Sequence, residues 1–328
     1  MERIDVVITW VDGADPAWQA EKERYHAAPN EDGAQIRFRN WNFLRYWFRG
    51  IETYAPWTGT IHLITCGHLP AWLNLDNARL HHVRHEDFMS SDALPTFNSN
   101  AIEIGMHRIK GLSEQFIYFN DDMFLLCPTV QEDFFRGGLP CDDAILSPVM
   151  PVWGENISCT TLNNMFVINR YFDKREVIRA RPGQWFNLRY GKGLLRSLCL
   201  MPWRHFPGFF NDHLPQAFLK STFDAVWQAE PELLKEVTHH RFRDYHGDVS
   251  QWLMRYWQLC SGKFVPVSPS RGKDLELADP KTADAIRSGR WSMVCMNDSE
   301  DIADFKTVQK RIATAFEARL PRKSSFER

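Results

Sequence analysis

The segment FIYFNDDMFLL, residues 116–126, sets two adjacent carboxylates, Asp121 and Asp122, between two apolar runs. Taking such charges out of water costs several kcal/mol unless a partner offsets them. Paired acids where an apolar strand stops suit a hard divalent cation, Mg2+ or Mn2+, held through oxygen and bridging to phosphate. An Asn-Asp-Asp turn or helix cap explains the same residues with no ligand at all. Asp12 closes a second apolar run, IDVVITWVD, and Gly13 comes directly after it. A glycine there lets backbone approach a ligand closely, although a plain turn into a helix is the simpler account.

Cationic groups recur nearby in the sequence. Arg37, Arg39, Arg45 and Arg49 fall in one stretch, and His107 and Arg108 in another. Arginine is suited to two-point contact with phosphate, against the ordinary alternative of a solvated helix face. Further on, NDHLPQAF supplies His213, and HHRFRDYHGD supplies His239, His240, Arg241, Arg243 and His246. An imidazole beside a metal–diphosphate serves as a third ligand or as a general base, and otherwise as a structural hydrogen bonder. The sequence holds no GxxxxGK[ST], GxGxxG, HExxH or GxSxG pattern.

The bulk numbers narrow the setting. The 328 residues suffice for one large α/β domain or two smaller ones, and 44% hydrophobic with 24% charged residues is ordinary for a soluble globular chain. A net charge of −2 argues against a broad nucleic-acid surface, so a polyanionic ligand must be met by local arginines. The 13 Trp and 23 Phe mostly fill a core, and a surplus of Trp also suits flat rings such as bases or sugars. The seven cysteines are widely spaced with no CxxC, which fits a reducing cytoplasm better than a disulfide framework or a zinc site. MERIDVVITWVDG has too short an apolar run for a signal peptide, and no stretch approaches the length needed to cross a membrane.

Elements must position these groups. Strands are expected at 4–12, 59–67, within 79–88 and at 114–122, and helices at 16–28, 42–54 and 98–109, with a loop at 30–35. This alternation predicts a mostly parallel, right-handed α/β sheet whose ligands collect at the carboxyl ends of the strands. Asp12 and the pair Asp121 and Asp122 then share one crevice. Residues 1–150 form the expected metal-binding α/β core, 151–204 a loop-rich insert, and 205–328 a helical part completing the same site. Helices are expected at 213–237, 248–260 and 304–320, with a loop at 268–282.

Taken together, DVVITWVDGADPAW, the run from RFRNWNFLRYWFRG through FIYFNDDMFL, NDHLPQAF with HHRFRDYHGDVSQWLMRYW, and CMNDSEDIADFKTVQKRIATAFEARLPRKSSFE resemble the four blocks of the Stealth family. That family includes bacterial capsular-polysaccharide phosphotransferases and the catalytic subunit of animal N-acetylglucosamine-1-phosphotransferase. The resemblance implies a Rossmann-like fold similar to the GT-A nucleotide-sugar transferases. It implies a UDP-hexose or UDP-N-acetylhexosamine donor, transfer of the sugar 1-phosphate to a glycan hydroxyl, and release of UMP. The acceptor is lipid-linked or a soluble fragment. The family's functional positions match Glu103, Asp122, His213 and Arg243, with Asp12 in the first block and Asn297 and Asp298 in the fourth. On this reading Asp121 and Asp122 hold the cation, and Arg243, Arg39 and Arg108 neutralise phosphate oxygens. His213 or Glu103 takes the acceptor proton, and Gly13, Asn98, His107 and Asn297 belong to the substrate site. Asn40 and Phe43 stand where many relatives carry carboxylates, which removes an acidic role from that helix. The YWFRG version and the small size resemble the bacterial capsule and cell-wall branch, implying work in the cytoplasm, with the aromatic-basic stretch 201–210 open either to contact with the inner membrane face or to plain core packing. An ordinary metal-dependent glycosyltransferase releasing UDP needs the same diphosphate site, and a non-catalytic carbohydrate-binding protein needs neither nucleotide nor metal.

Overall fold

Along IDVVIT the side chains alternate between two apolar layers, and that alternation organises the molecule. A computed structural model describes residues 2–25, 31–151, 157–300 and 302–328. The main strands are β1 (Ile4–Thr9), β2 (Ile61–Thr65), β3 (Leu80–Arg84), β4 (Gln115–Phe119), β5 (Met123–Leu125), β6 (Gln216–Leu219), β7 (Gly272–Glu276) and β8 (Met293–Asn297). The central sheet runs β3-β2-β1-β4-β6. Its first four strands are parallel and β6 is antiparallel to β4, so the mostly parallel α/β expectation holds.

Val6, Ile8, Ile117 and Phe119 face one layer, and Val7, Phe116, Tyr118 and Phe218 the other. The first layer is covered by the helices Leu44–Tyr54 and Phe305–Arg319. Leu44, Trp47, Phe48 and Ile51 recur at helical spacing and meet Val308, Ile312 and Phe316. Tyr46 and Phe316 stack at 9° between ring planes. The second layer is covered by Ser99–Glu103, Lys220–Ala229 and Gln251–Cys260. Both faces of β1 and β4 are therefore covered, which is why these strands are mostly apolar, broken only by Asp5 and Thr9 in β1 and Gln115 in β4. From β1 the chain steps to β2 and β3 on one side and returns to β4 on the other. The topological switch point therefore lies between the carboxyl ends of β1 and β4.

Several expectations need correction. The first helix runs Pro16–Glu23, and residues 26–28, expected to continue it, lie outside the described residues. The helix expected over 98–109 is Ser99–Glu103 and then the single turn Met106–Arg108. The helix expected over 213–237 begins as β6, because QAFL fills the open edge of β4. Pro231 then splits the remaining helical stretch into Lys220–Ala229 and Pro231–His239. The loop expected at 268–282 contains β7, which pairs with β8, and β8 in turn pairs with β5. The insert 151–204 is helical rather than loop-rich, with helices at Ile157–Tyr171, Lys174–Ala180, Pro182–Trp185 and Lys192–Cys199, and 152–156 lie outside the described residues. Its Asn- and Thr-rich first helix is a weak helix former in isolation. Packing of Met165 and Ile168, and the Asn164 amide bonded to Ser250 Oγ at 3.2 Å, hold it in place.

Candidate active site

The carboxyl ends of β1 and β4 open into a cavity of about 560 Å³. Thr9 and Trp10 reach it from β1, Asn120, Asp121 and Asp122 from β4, and Ser99 and Glu103 from the helix after Asn98. His213, Arg243, Asn297 and Asp298 come in from the second half of the chain, and Arg37 and Arg39 from the first. Residues spread over nearly the whole sequence thus meet at the switch point.

A chain of side chains crosses the floor. The Tyr118 hydroxyl lies 3.0 Å from Glu103 Oε1 and 3.1 Å from Thr9 Oγ1, and it also bonds Asn120 Oδ1. Asn120 Nδ2 meets His213 Nε2 at 3.1 Å, and His213 Nδ1 lies 3.1 Å from Cys295 Sγ and 4.0 Å from Asp122 Oδ2. Glu103 and His213 are therefore linked through Tyr118 and Asn120. Burial raises the Glu103 carboxyl, opposed by Arg243 and the Tyr118 hydroxyl. Burial raises Tyr118 further still, so its phenol stays protonated.

The acidic pair is held at high energy. Asp121 is exposed to the cavity, yet the protein packed around it, and then the neighbouring Asp122, pushes its carboxyl up to about 7. Burial also raises Asp122, opposed by His213. Asp122 Oδ1 is buried with no hydrogen-bond partner. Donor atoms of Asp122, His213 and Cys295 lie within 4.8 Å of one another, and burial, then Asp122, drives the Cys295 thiol far up, so its sulfur is protonated.

Arg243 supplies the opposite charge. Its Nη2 donates to Ser99 Oγ at 2.6 Å, and no carboxylate among the described residues forms an ion pair with it. Burial and Arg37 lower it, while Glu103 and Asp32 favour its charge from a distance. Arg39 pairs with Asp298 at 3.2 Å, and Trp41 Nε1 donates to the other oxygen of Asp298 at 2.9 Å. Asn297 Nδ2 donates to Glu276 at 3.1 Å.

The loop carrying His213 is pinned from behind. Arg255, only 2% exposed, donates to Phe210 O at 2.8 Å and Asn211 Oδ1 at 2.9 Å while its fork grips Asp142 at 2.8 Å. This anchor was not legible as part of the site, because QWLMRYWQLC reads as an amphipathic helix with one stray cation. Tyr118 and Asn120 carry no mark of a site role in the sequence either, although alternation along β4 places them on one side of the strand.

Five expected site residues serve elsewhere. Asn98 is fully buried, caps the helix Ser99–Glu103, and donates to Asp248 at 2.8 Å, so it fixes the Arg243 segment and offers no surface to a ligand. His107 packs on Phe223 and Trp227, and Arg108 stacks 3.8 Å over the Trp227 ring, both outside the crevice because the turn Met106–Arg108 points toward Lys220–Ala229. Asp12 does not line the cavity, although Trp10 and Val11 do, and its Oδ1 accepts from Ala14 N at 3.1 Å as a turn residue. Gly13 serves packing, because a Cβ there would stand 1.9 Å from the Phe38 carbonyl oxygen. Among the other cations, Arg49 is buried against Glu327 at 2.8 Å, His240 pairs with Asp248 at 2.7 Å, and His239 with Asp92 at 3.2 Å.

Residues 2–28 match conserved region 1 of Stealth proteins and residues 37–140 match conserved region 2. A capsular polysaccharide phosphotransferase of Streptococcus pneumoniae is 40% identical over 334 residues, covering 100% of this chain and 99% of the relative. An exopolysaccharide phosphotransferase of Lactiplantibacillus plantarum is 40% identical over 328 residues, covering 99% and 96%. A receptor polysaccharide phosphotransferase of Streptococcus oralis is 37% identical over 335 residues, covering all of both chains. Among solved structures, a galactosyltransferase in complex with donor and acceptor sugar analogs aligns over 98% of both chains at 9% identity and a TM-score of 0.40.

Proposed function

The chain belongs to the Stealth family, and from that membership we propose that it is a polysaccharide phosphotransferase moving hexose 1-phosphate from a UDP-sugar to a glycan hydroxyl in capsule or cell-surface polysaccharide synthesis. One observation carries the reading: an acidic pair, a half-exposed His213 and Arg243, which has no carboxylate ion pair among the described residues, converge on a single cavity at the switch point. Such transfer depends mainly on positioning and on stabilising charge as it develops. The acceptor oxygen forms a bond to the β-phosphorus, the bond from that phosphorus to the bridging oxygen breaks, and UMP departs with that oxygen. His213 receives the hydroxyl proton, with Asn120, Tyr118 and Glu103 aligned behind its ring. Arg243 faces the non-bridging oxygens, and Arg39 and Asn297 line the wall beside it.

Asp121 and Asp122 fit a divalent cation, Mg2+ or Mn2+. The orphaned Asp122 Oδ1 and the raised carboxyls are the marks of an oxygen site whose charge is uncompensated. When bound, the ion would neutralise diphosphate oxygens. All seven cysteines are free, as a reducing cytoplasm keeps them. Among the described residues no helix is long and apolar enough to cross a membrane.

Incubation with a panel of UDP-sugars, Mg2+ and a glycan acceptor, and then identification of the nucleotide, tests the reading. UMP is expected and UDP would mean ordinary glycosyl transfer. Failure of every sugar to yield either nucleotide would remove the enzyme. His213→Ala is expected to lose turnover while keeping metal affinity, and a matching loss of metal affinity would make His213 a ligand instead.

A further inference from the structure

The exposed large apolar side chains are not scattered. Most of them fall in the helical insert, among them Leu188 at 86% exposure, Leu195 at 66%, Trp203 at 57% and Leu198 at 47%. Leu195 and Leu198 stand on the outer side of the helix Lys192–Cys199, whose Gly193 and Ser197 face inward. Singly exposed leucines are ordinary, but four large apolar tips within 16 residues of chain are not. Lys192, Arg196 and Arg204 are exposed among them. Residues 157–204 carry nine Lys and Arg against two Asp and Glu; Lys174 is buried and Arg170 pairs with Glu230 at 2.6 Å, which still leaves the segment basic in a chain whose net charge is −2. A basic, apolar-tipped stretch, with Lys192, Arg196 and Arg204 exposed beside the leucines on an otherwise acidic molecule, is complementary to an anionic bilayer surface.

The same segment borders the crevice. Ile157, Thr160 and Thr161, in the first turns of the helix Ile157–Tyr171, line the cavity that holds His213 and Arg243. The stretch 201–210, open from sequence to membrane contact or to core packing, is mostly core, since Phe206 and Phe209 are buried and lie against Trp185. Only its end at 202–205 reaches the surface.

We propose that the face formed by Leu188, Lys192, Leu195, Arg196, Leu198 and Trp203 docks the protein on an anionic lipid surface, presenting the crevice to an acceptor held there. The acceptor part rests on the phosphotransferase reading, whereas the docking does not. Leucine tips and the Trp203 ring enter the headgroup region, and the cations meet lipid phosphates. A second copy of the chain fits this face poorly, because two such faces would bring like charges together.

Co-sedimentation of the full chain with phosphatidylglycerol vesicles, and separately with phosphatidylcholine vesicles, tests the docking. Binding to the anionic vesicles is expected, weakening as salt rises, with little binding to the zwitterionic ones. Lys192→Gln and Arg196→Gln are each expected to weaken partitioning about fivefold. Leu195→Ser with Leu198→Ser is expected to abolish binding at moderate salt, with melting temperature and nucleotide release on a soluble acceptor unchanged. Equal binding by these variants, equal binding to both lipids, or lipid-free dimers that the leucine changes dissolve would overturn the proposal. Loss of nucleotide release in the unaltered protein would count against the phosphotransferase reading alone.

Discussion

Arg255→Met separates what stabilises the protein from what aims its proton acceptor. Arg255 and Asp142 are each 2% exposed, and the guanidinium satisfies Asp142, two backbone carbonyls and the Asn211 side chain together. Removing one partner of a buried pair leaves an uncompensated charge and costs about 3–5 kcal/mol. Gln216 Nε2, 3.1 Å from Asp142 Oδ2, and the Asp143 N–H, 2.7 Å from Oδ1, remain as neutral donors and offset part of the loss. For a chain of 328 residues the loss corresponds to a fall of roughly 4–7 °C in melting temperature. Turnover should also fall, because Phe210 and Asn211, which lead into His213, lose both their contacts to the guanidinium. Arg255→Met with Asp142→Leu is the informative partner. Replacing both ends of a buried pair with apolar groups is often neutral for stability. The double variant still leaves the buried Asp143 carboxyl, 3.8 Å from the guanidinium in the parent, so it should melt above the single variant while its nucleotide release stays low, with kcat reduced more than KM. Differential scanning calorimetry and steady-state release assays measure the two effects. A double variant that is both stable and fully active would refute the anchoring argument, and a single variant losing less than about 1 kcal/mol would refute the burial argument.

Asp122→Asn should lower turnover at least a hundredfold in the nucleotide-release assay while leaving thermal stability equal or higher, because it removes one of two crowded acids whose carboxyls are both raised. The pH dependence has a definite sign. Asp121 is raised to about 7 in the folded chain, so between about pH 4 and pH 7 the folded state binds more protons than the unfolded one, and stability from this group falls as pH rises. The metal-free parent should therefore lose more melting temperature from pH 5 to pH 8 than Asp121→Asn does, and added Mn2+ should raise the parent's melting temperature more at pH 8 than at pH 5. Gly13→Ala must displace the Phe38 carbonyl and the neighbouring Arg39, so KM for the donor should rise and the melting temperature fall. Arg243→Lys keeps the charge but not the planar fork, and its turnover should fall at least tenfold with little change in folding by circular dichroism.

The sequence by itself determined the parts of this protein that are local. IDVVIT and QFIYF read as buried strands, NFLRYWFRGIETY as a helix with one apolar side, and the acids at 121–122 as the end of a strand, and each is so in the fold. Order along the chain then implied a switch-point crevice. Tertiary structure decided everything that depends on who meets whom. It joined Glu103 to His213 through Tyr118 and Asn120 and brought β8 beside β5. It spent Asn98, His107, Arg108 and Gly13 on packing, and turned a weak helical insert into a basic, apolar-tipped face. The physical reason is range. Strand and helix periodicity are written in neighbours a few residues apart, whereas a side chain's partner across the fold depends on contacts far away in sequence, where the same residue type serves equally as core, cap or ligand.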